Sequence, residues 1–339
     1  MPISQIVSNI TVSQSSTSEK KRFLSDHLSH EQKNTLSIWM TLYFEIHVVG
    51  MSGRTENAKA KDLEKFLDFF KMATGGEIAD HWTPALSREF QKHLQRIIIN
   101  GQNGYAPSTI NRIMATTRHF GRWMHKQRPF LAGDPFTNVK DIIIDHPDWS
   151  GLSDKDVLRL KSACDQRGLF CVRKDQNPLL EAAVFYALIH TGLREEELCN
   201  LDKSQYHSKG FHNVKRKGKR VQKKIPVPQD SREKIDEYLE SRTDESDALF
   251  VSIYGNRLAT LDVRRICTRI AKQASVNSSD SEKIKLHPHK LRHTFLKRVA
   301  DKHGIHVAQE MSGNVSPRVI FRYTKSDPDE LQNISEGLF

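Results

Sequence analysis

The sequence predicts a mainly α-helical protein with a small antiparallel β-sheet, divided between two domains. Three observations carry that expectation. Apolar residues recur at helical spacing through most of the chain from Ser29 onward. One stretch, GFHNVKRKGKRVQKKIPVP, alternates instead and turns at Lys217-Gly218, as a β-hairpin does. Residues 126–150, KQRPFLAGDPFTNVKDIIIDHPDWS, hold three prolines and a Gly-Asp-Pro turn signal, which marks a boundary in a chain of 339 residues. The expected division is a polar tail over 1–29, a helical domain over 30–135, a linker over 136–150, a second domain over 151–325 and a tail over 326–339.

In the first domain, SHEQKNTLSIWMTLYFEIHVVG reads as one helix with Leu36, Met40, Tyr43 and Phe44 on its apolar stripe. AKDLEKFLDFFKM places Leu63, Phe66, Leu67 and Phe70 on another. TPALSREFQKHLQRII offers Thr83 as a cap, with Pro84 at the first helical position. APSTINRIMATTRHFGRWMHKQ is a fourth helix, with Ile110, Ile113, Thr117 and Phe120 on its stripe and Arg112, Arg118, Arg122 and Lys126 off it. Those cations read either as a solvated face or as a surface for DNA backbone.

The second domain opens at GLSDKDVLRLKSACDQ, where Ser153 and Asp156 make a capping-box-like start. PLLEAAVFYALIHTGLR is apolar nearly all round, so it is expected to be the buried central helix, ending at Gly192. The hairpin follows. Helices are then expected at SREKIDEYLESR, TLDVRRICTRIAKQA, HPHKLRHTFLKRVADKHG, HVAQEMSG and SPRVIFRYT, with a short strand at ALFVS.

Composition narrows the function. The formal net charge is +11 and the isoelectric point about 9.4, a surplus that favours a polyanionic partner, nucleic acid first. No apolar run is long enough to span a bilayer, and the N-terminus lacks a basic start followed by an apolar core, so the expected location is cytoplasmic. Cys164, Cys171, Cys199 and Cys267 form no CxxC pair and read as buried thiols.

The chemistry centres on HPHKLRHTF. His289 and Arg292 lie three apart, hence on one face of a helix started by Pro288. His289 and His293 have the i, i+4 spacing of helical zinc ligands, but Lys290 stands where a zinc protease carries its glutamate, so no metal is expected. Arg194 follows a Thr-Gly-Leu bend, where it can donate a fork to a phosphate or pair with a following glutamate. The hairpin carries Lys215, Arg216, Lys217, Lys219, Arg220, Lys223 and Lys224, seven cations in ten residues, a density expected of DNA contact. Lys217, with Lys219 its competitor, can protonate a leaving alkoxide. Tyr323 is flanked by Arg322 and Lys325. Two arginines, a lysine, a histidine and a tyrosine suffice to transesterify a phosphodiester without cofactor: the arginines neutralise the non-bridging oxygens, the tyrosine attacks, and the lysine protonates the leaving oxygen.

At this point the chain resembles the tyrosine recombinase (phage integrase) family over roughly residues 30–325. TGLREEEL resembles the family's first arginine box, HxxRH is matched by His289, Arg292 and His293, and the Lys-Gly turn matches at Lys217. Tyr323 follows Asn314 by nine residues, as the family's nucleophile follows its last histidine or tryptophan box. The departure is Asn314 itself: the family pattern is close to LGH, and this chain has MSGN. An asparagine still donates a hydrogen bond to a phosphate oxygen but carries no proton at neutral pH.

The resemblance implies Arg194, Lys217, His289, Arg292, Asn314 and Tyr323 as catalytic residues, with Glu197 and His293 supporting. It implies a two-domain clamp around double-stranded DNA, a 3′-phosphotyrosine intermediate, a Holliday junction, and a tetramer on two DNA sites. Accessory DNA-bending or directionality proteins would be further partners, and Ile334, Leu338 and Phe339 would dock on a neighbouring subunit. The expected activity is site-specific recombination for a mobile element. A type IB topoisomerase shares the chemistry and is separated by relaxing supercoils as a monomer. A DNA-binding protein weakened in catalysis at Asn314 is separated by failing to cleave its own site.

Overall fold

The computed structural model describes residues 28–99, 101–144, 151–170, 176–216, 220–276, 279, 283–313 and 335–336. The chain divides into two compact units between residues 146 and 147.

In the first unit, Ser29 and Gln32 close a capping box on helix α1 (His30–Asn34). The single helix expected here is two. Thr35 leaves helical geometry to form a bridge with Ile78, and α2 (Leu36–His47) restarts after it. Helix α2 buries Leu36, Trp39, Leu42 and Tyr43, so Met40 and Phe44 only flank the stripe. Trp39 can lie fully inside because its indole N–H donates to the Lys33 carbonyl at 3.0 Å.

Helix α3 (Gly53–Thr74) starts at a Ser52 cap, buries Leu63, Phe66, Phe69 and Phe70, and ends at a left-handed Gly75. Helix α4 (Pro84–Arg96) has the expected Thr83 cap, whose hydroxyl accepts from the Leu86 N–H at 3.3 Å. A minimal antiparallel ribbon, β1 (Ile98–Ile99) with β2 (Gln102–Asn103), leads to α5 (Pro107–Gln127). Two residues per strand carry no alternation for a sequence to display. Trp82 is fully buried at the centre of this unit, 4.5 Å from the Phe66 ring and 5.6 Å from Phe120, ring centre to centre. Phe130, Phe136 and Val139 join the same core, so the stretch after α5 packs rather than hangs.

The second unit opens at α6 (Asp154–Phe170), whose Asp156 N–H donates to Ser153 at 3.1 Å. Helix α7 (Pro178–Thr191) is buried along almost its whole length and forms the middle of the core. Its Glu181 carboxylate takes the Arg167 Nε at 2.7 Å and the Arg269 Nε at 2.6 Å. The helix stops at Gly192, φ +61°, and α8 (Glu195–Cys199) begins after a short bend. A three-stranded antiparallel sheet follows in the order β3 (Tyr206–His207), β4 (Gly210–Arg216), β5 (Arg220–Pro226). Its register pairs Phe211 with Ile225, Val214 with Gln222 and Arg216 with Arg220.

Helices α9 (Gln229–Glu240), α10 (Thr260–Ala274), α11 (Pro288–His303) and α12 (Ile305–Ser312) complete the unit. The strand expected at ALFVS does not join the sheet. Ala248 and Val251 make isolated bridges to Asp202 and Arg257, while Leu249 and Phe250 are both buried, so the run does not alternate. Cys164, Cys199 and Cys267 are buried free thiols. No helix among the described residues is long and apolar enough to cross a membrane.

Candidate active site

Helix α7 is too apolar to stop in water, and its end is forced by Gly192. A Cβ at this residue would stand 2.3 Å from the Phe295 ring, and its φ of +61° disfavours any other residue. The turn sets Arg194 at the entry of α8. Glu197, one turn on, accepts the Arg194 backbone N–H at 2.9 Å and its guanidinium at 2.8 Å.

Pro288 opens α11, and the His287 ring caps it by accepting the Lys290 N–H at 3.2 Å. Arg292 is therefore fixed on the inner face of the helix, 2% exposed. Its two terminal nitrogens donate to the Gly192 carbonyl and to the Ser312 carbonyl, the latter at 2.8 Å. One arginine thus joins the end of α7 to the end of α12.

His289 stands at the surface, one turn before His293, with ring centres 6.2 Å apart. Its pKa lies below the ordinary histidine value. Loss of hydration is the largest cause. The charges of Arg292, Arg194 and Arg264 push the same way, and Glu195 opposes them. His289 is thus neutral at pH 7 and set among cations. Arg264 is itself held by Glu195, with its Nε 3.0 Å from the carboxylate. His293 is pushed down further, to about 4, first by burial and then by the neighbouring His289 and His287.

The structure therefore brings together Arg194, Glu197, His289, Arg292 and His293 from two separate stretches of sequence. Lys217, Lys219, Asn314, Tyr323 and the tail positions Ile334, Leu338 and Phe339 lie outside the described residues. Of the remaining hairpin cations, Lys215, Arg220, Lys223 and Lys224 are exposed. Arg220, Lys223 and Lys224 line a groove of ≈ 560 Å³ whose other wall is His306, Gln309 and Glu310 of α12.

Arg216 corrects the expectation that it contacts DNA. It is 5% exposed, and its guanidinium lies 2.5 Å from the second oxygen of Glu197. The signal was present in the sequence. Arg216 sits two residues after apolar Val214 on a strand, so both point to the core face.

The α5 arginines have internal carboxylate partners. Arg112 pairs with buried Asp62, and Arg122 lies 3.2 Å from Asp134. Arg118 lies 2.7 Å from Asp141 and stacks over Phe136, 5.5 Å from its ring centre. A second cationic recess, ≈ 380 Å³, is lined by Lys155, Arg159, Lys283, Lys285 and Lys290. Lys283 and Lys285 stand just before HPH in the sequence and were not among the expected DNA contacts; both line this recess.

This unit sets two arginines beside one histidine, groups of the kind that phosphate chemistry uses. Comparison with known proteins agrees. Residues 151–330 match the phage integrase family. The tyrosine recombinase XerC of Thermodesulfovibrio yellowstonii is 29% identical over 290 residues, covering 82% of this chain and 87% of its own. Among solved structures, the Tn1549 transposon integrase in complex with a circular intermediate DNA overlays with a TM-score of 0.68 at 15% identity, covering 90% of this chain and 100% of that one. XerH bound to its palindromic difH substrate overlays at 0.65 with 18% identity, covering 89% and 84%. The chain belongs to the phage integrase family of tyrosine recombinases. Its enzyme class is that of a site-specific DNA recombinase, a DNA strand transferase.

Proposed function

We propose that this recombinase cuts and rejoins double-stranded DNA for a mobile element, with Tyr323 as nucleophile. The observation that carries the reading is the convergence of Arg194, Arg292 and neutral His289 from stretches separated by nearly one hundred residues of sequence.

In this reading the Tyr323 oxygen attacks phosphorus and gives its proton to a neighbouring acceptor, for which neutral His289 is suited. Arg194 and Arg292 neutralise the charge that develops on the non-bridging oxygens. Lys217 protonates the departing 5′-oxygen, leaving a 3′-phosphotyrosine and a free 5′-hydroxyl. Asn314 donates a hydrogen bond to the phosphate in place of the family's histidine or tryptophan. Attack by a second strand's 5′-hydroxyl reverses the step through a Holliday junction. The phosphotyrosine conserves the bond energy, so no nucleotide is consumed. Lys215, Arg220, Lys223 and Lys224 hold the DNA backbone. The helical domain of residues 30–135 and the catalytic domain of 151–325 embrace the duplex. Four copies assemble on two sites, with the tail after 326 docking on a neighbour. The likeness to a transposon integrase supports the mobile-element role.

The test uses a pool of random-sequence nicked duplexes, from which covalently captured DNA is selected and sequenced. The wild-type protein is expected to yield a selected site and an adduct on it. Tyr323→Phe is expected to bind that site and yield none. An adduct that persists in Tyr323→Phe overturns the nucleophile assignment, and supercoil relaxation by a monomer without recombinants favours a topoisomerase.

A further inference from the structure

Arg216 is a buried cation beside the site and has no part in the chemistry described so far. It makes three contacts on three elements. Its Nη1 meets Glu197 at 2.5 Å, its Nε donates to Gln222 of β5 at 2.8 Å, and its Nη2 donates to the Met311 carbonyl of α12 at 3.3 Å. A Cβ on Gly313 would lie 2.9 Å from the Arg216 Nε, so α12 ends in close apposition to it. Lys217 and Asn314, both assigned to the chemistry above, are the next residues after Arg216 and Gly313.

We infer that Arg216 is a positioning residue of the recombinase site, which holds Glu197 in place for Arg194 and ties the hairpin to the end of α12. The inference rests on the assignment of Arg194 as a phosphate-binding arginine.

Charge balance gives the physical reason. Glu197 has two oxygens and two arginine partners. With Arg216 in place, the group holds two cations and one carboxylate, so a positive charge remains for a phosphate. Without it, Glu197 and Arg194 form a neutral pair, and Arg194 is drawn to the carboxylate rather than to substrate. Burial alone would raise the Glu197 pKa, but the Arg216 charge, the Arg194 N–H and the Arg194 charge outweigh it and leave it lowered. Glu197 therefore stays ionised in a place where an unpaired carboxylate would not.

Full-length Arg216→Met and Arg216→Lys are compared with wild type on the selected nicked duplex. Arg216→Lys keeps the charge but loses the fork that reaches Glu197 and Met311 together, and it carries the test if Arg216→Met fails to melt cooperatively. Both are expected to bind DNA within about twofold of wild type with the same salt dependence, and to form adduct at least about tenfold more slowly. Glu197→Gln with Arg216→Met is expected to be less harmful than the product of the single effects, because the buried charges are removed together. The rate deficit is expected to shrink on a duplex with a methylphosphonate at the scissile position, where there is less negative charge for Arg194 to neutralise.

Adduct formation by Arg216→Lys within about twofold of wild type overturns the inference. So does a salt slope reduced by about one, which marks a direct phosphate contact, or a deficit of equal size on the methylphosphonate, which marks general damage to the fold. Absence of any adduct with the wild-type protein instead overturns the proposed function, and this inference with it.

Discussion

Glu181 and Glu197 are both buried, and each holds two arginines. Around Glu181 the arginines come from α6 and α10, and the carboxylate lies on the central helix between them. The Arg167 Nη2 also donates to Gln176 at 2.6 Å. This cluster fastens three helices. Around Glu197 the surplus positive charge lies beside Arg292 and adds to its charge. A carboxylate with two arginines is therefore no mark of catalysis by itself. The mark is a cluster whose excess charge accumulates with that of its neighbours, a costly arrangement that an incoming anion relieves.

The largest expected effects separate the two clusters. Glu181→Ala strands two partly buried guanidiniums and is expected to cost about 3 kcal/mol of stability, read as a lower urea midpoint. Where that variant is still folded, its rate of DNA cleavage is expected to match wild type. Arg194→Ala leaves Glu197 paired with Arg216, so its melting temperature is expected to stay close to wild type while single-turnover cleavage falls about 10²- to 10³-fold. If both variants lose stability and rate in parallel, the two clusters do the same work and the distinction fails.

Gly192→Ala probes the turn between them. Its Cβ would collide with Phe295 at a backbone angle that alanine resists, and a loss of about 2 kcal/mol is expected. Cleavage should fall as well, because the Gly192 carbonyl holds Arg292. Full activity with reduced stability would show that the turn serves packing alone.

The mildest effect is pH dependence. Burial pushes His190 and His293 down to about 4. Their folded pKa values lie below that of an unfolded histidine, about 6.5, so the unfolded chain binds the extra protons. Their contribution to stability is complete above the unfolded value and is lost as pH falls through the window toward 4. Urea midpoints measured across that window should drop on acidification. His190→Gln should flatten part of the slope, and an unchanged slope would remove His190 from the account.

The pattern of what was legible follows from range. Thr83-Pro84, Pro107, Ser153 and His287-Pro288 are local signals, and helices start where each stands. Gly192 likewise ended its helix. The TGLR and HxxRH boxes singled out Arg194, His289 and Arg292 as candidates, and the fold draws these three together. What escaped depended on partners distant in sequence. Thr35 broke a helix because Ile78 pairs with it. Trp39 displaced Met40 from the stripe because a carbonyl was available for its indole. Arg216 looked like one more cation in a basic run until strand parity and Glu197 turned it inward.

The end of α12 gives a consequence in time rather than space. Arg292 and Arg216 hold the Ser312 and Met311 carbonyls, which belong to a helix near the end of a 339-residue chain. During synthesis Arg216 exists long before its partner carbonyl emerges, and Arg292 shortly before its own. A chain that lacks α12 thus carries both arginines without the carbonyls that fix them. The anchoring of both arginines is complete only once α12 has been made.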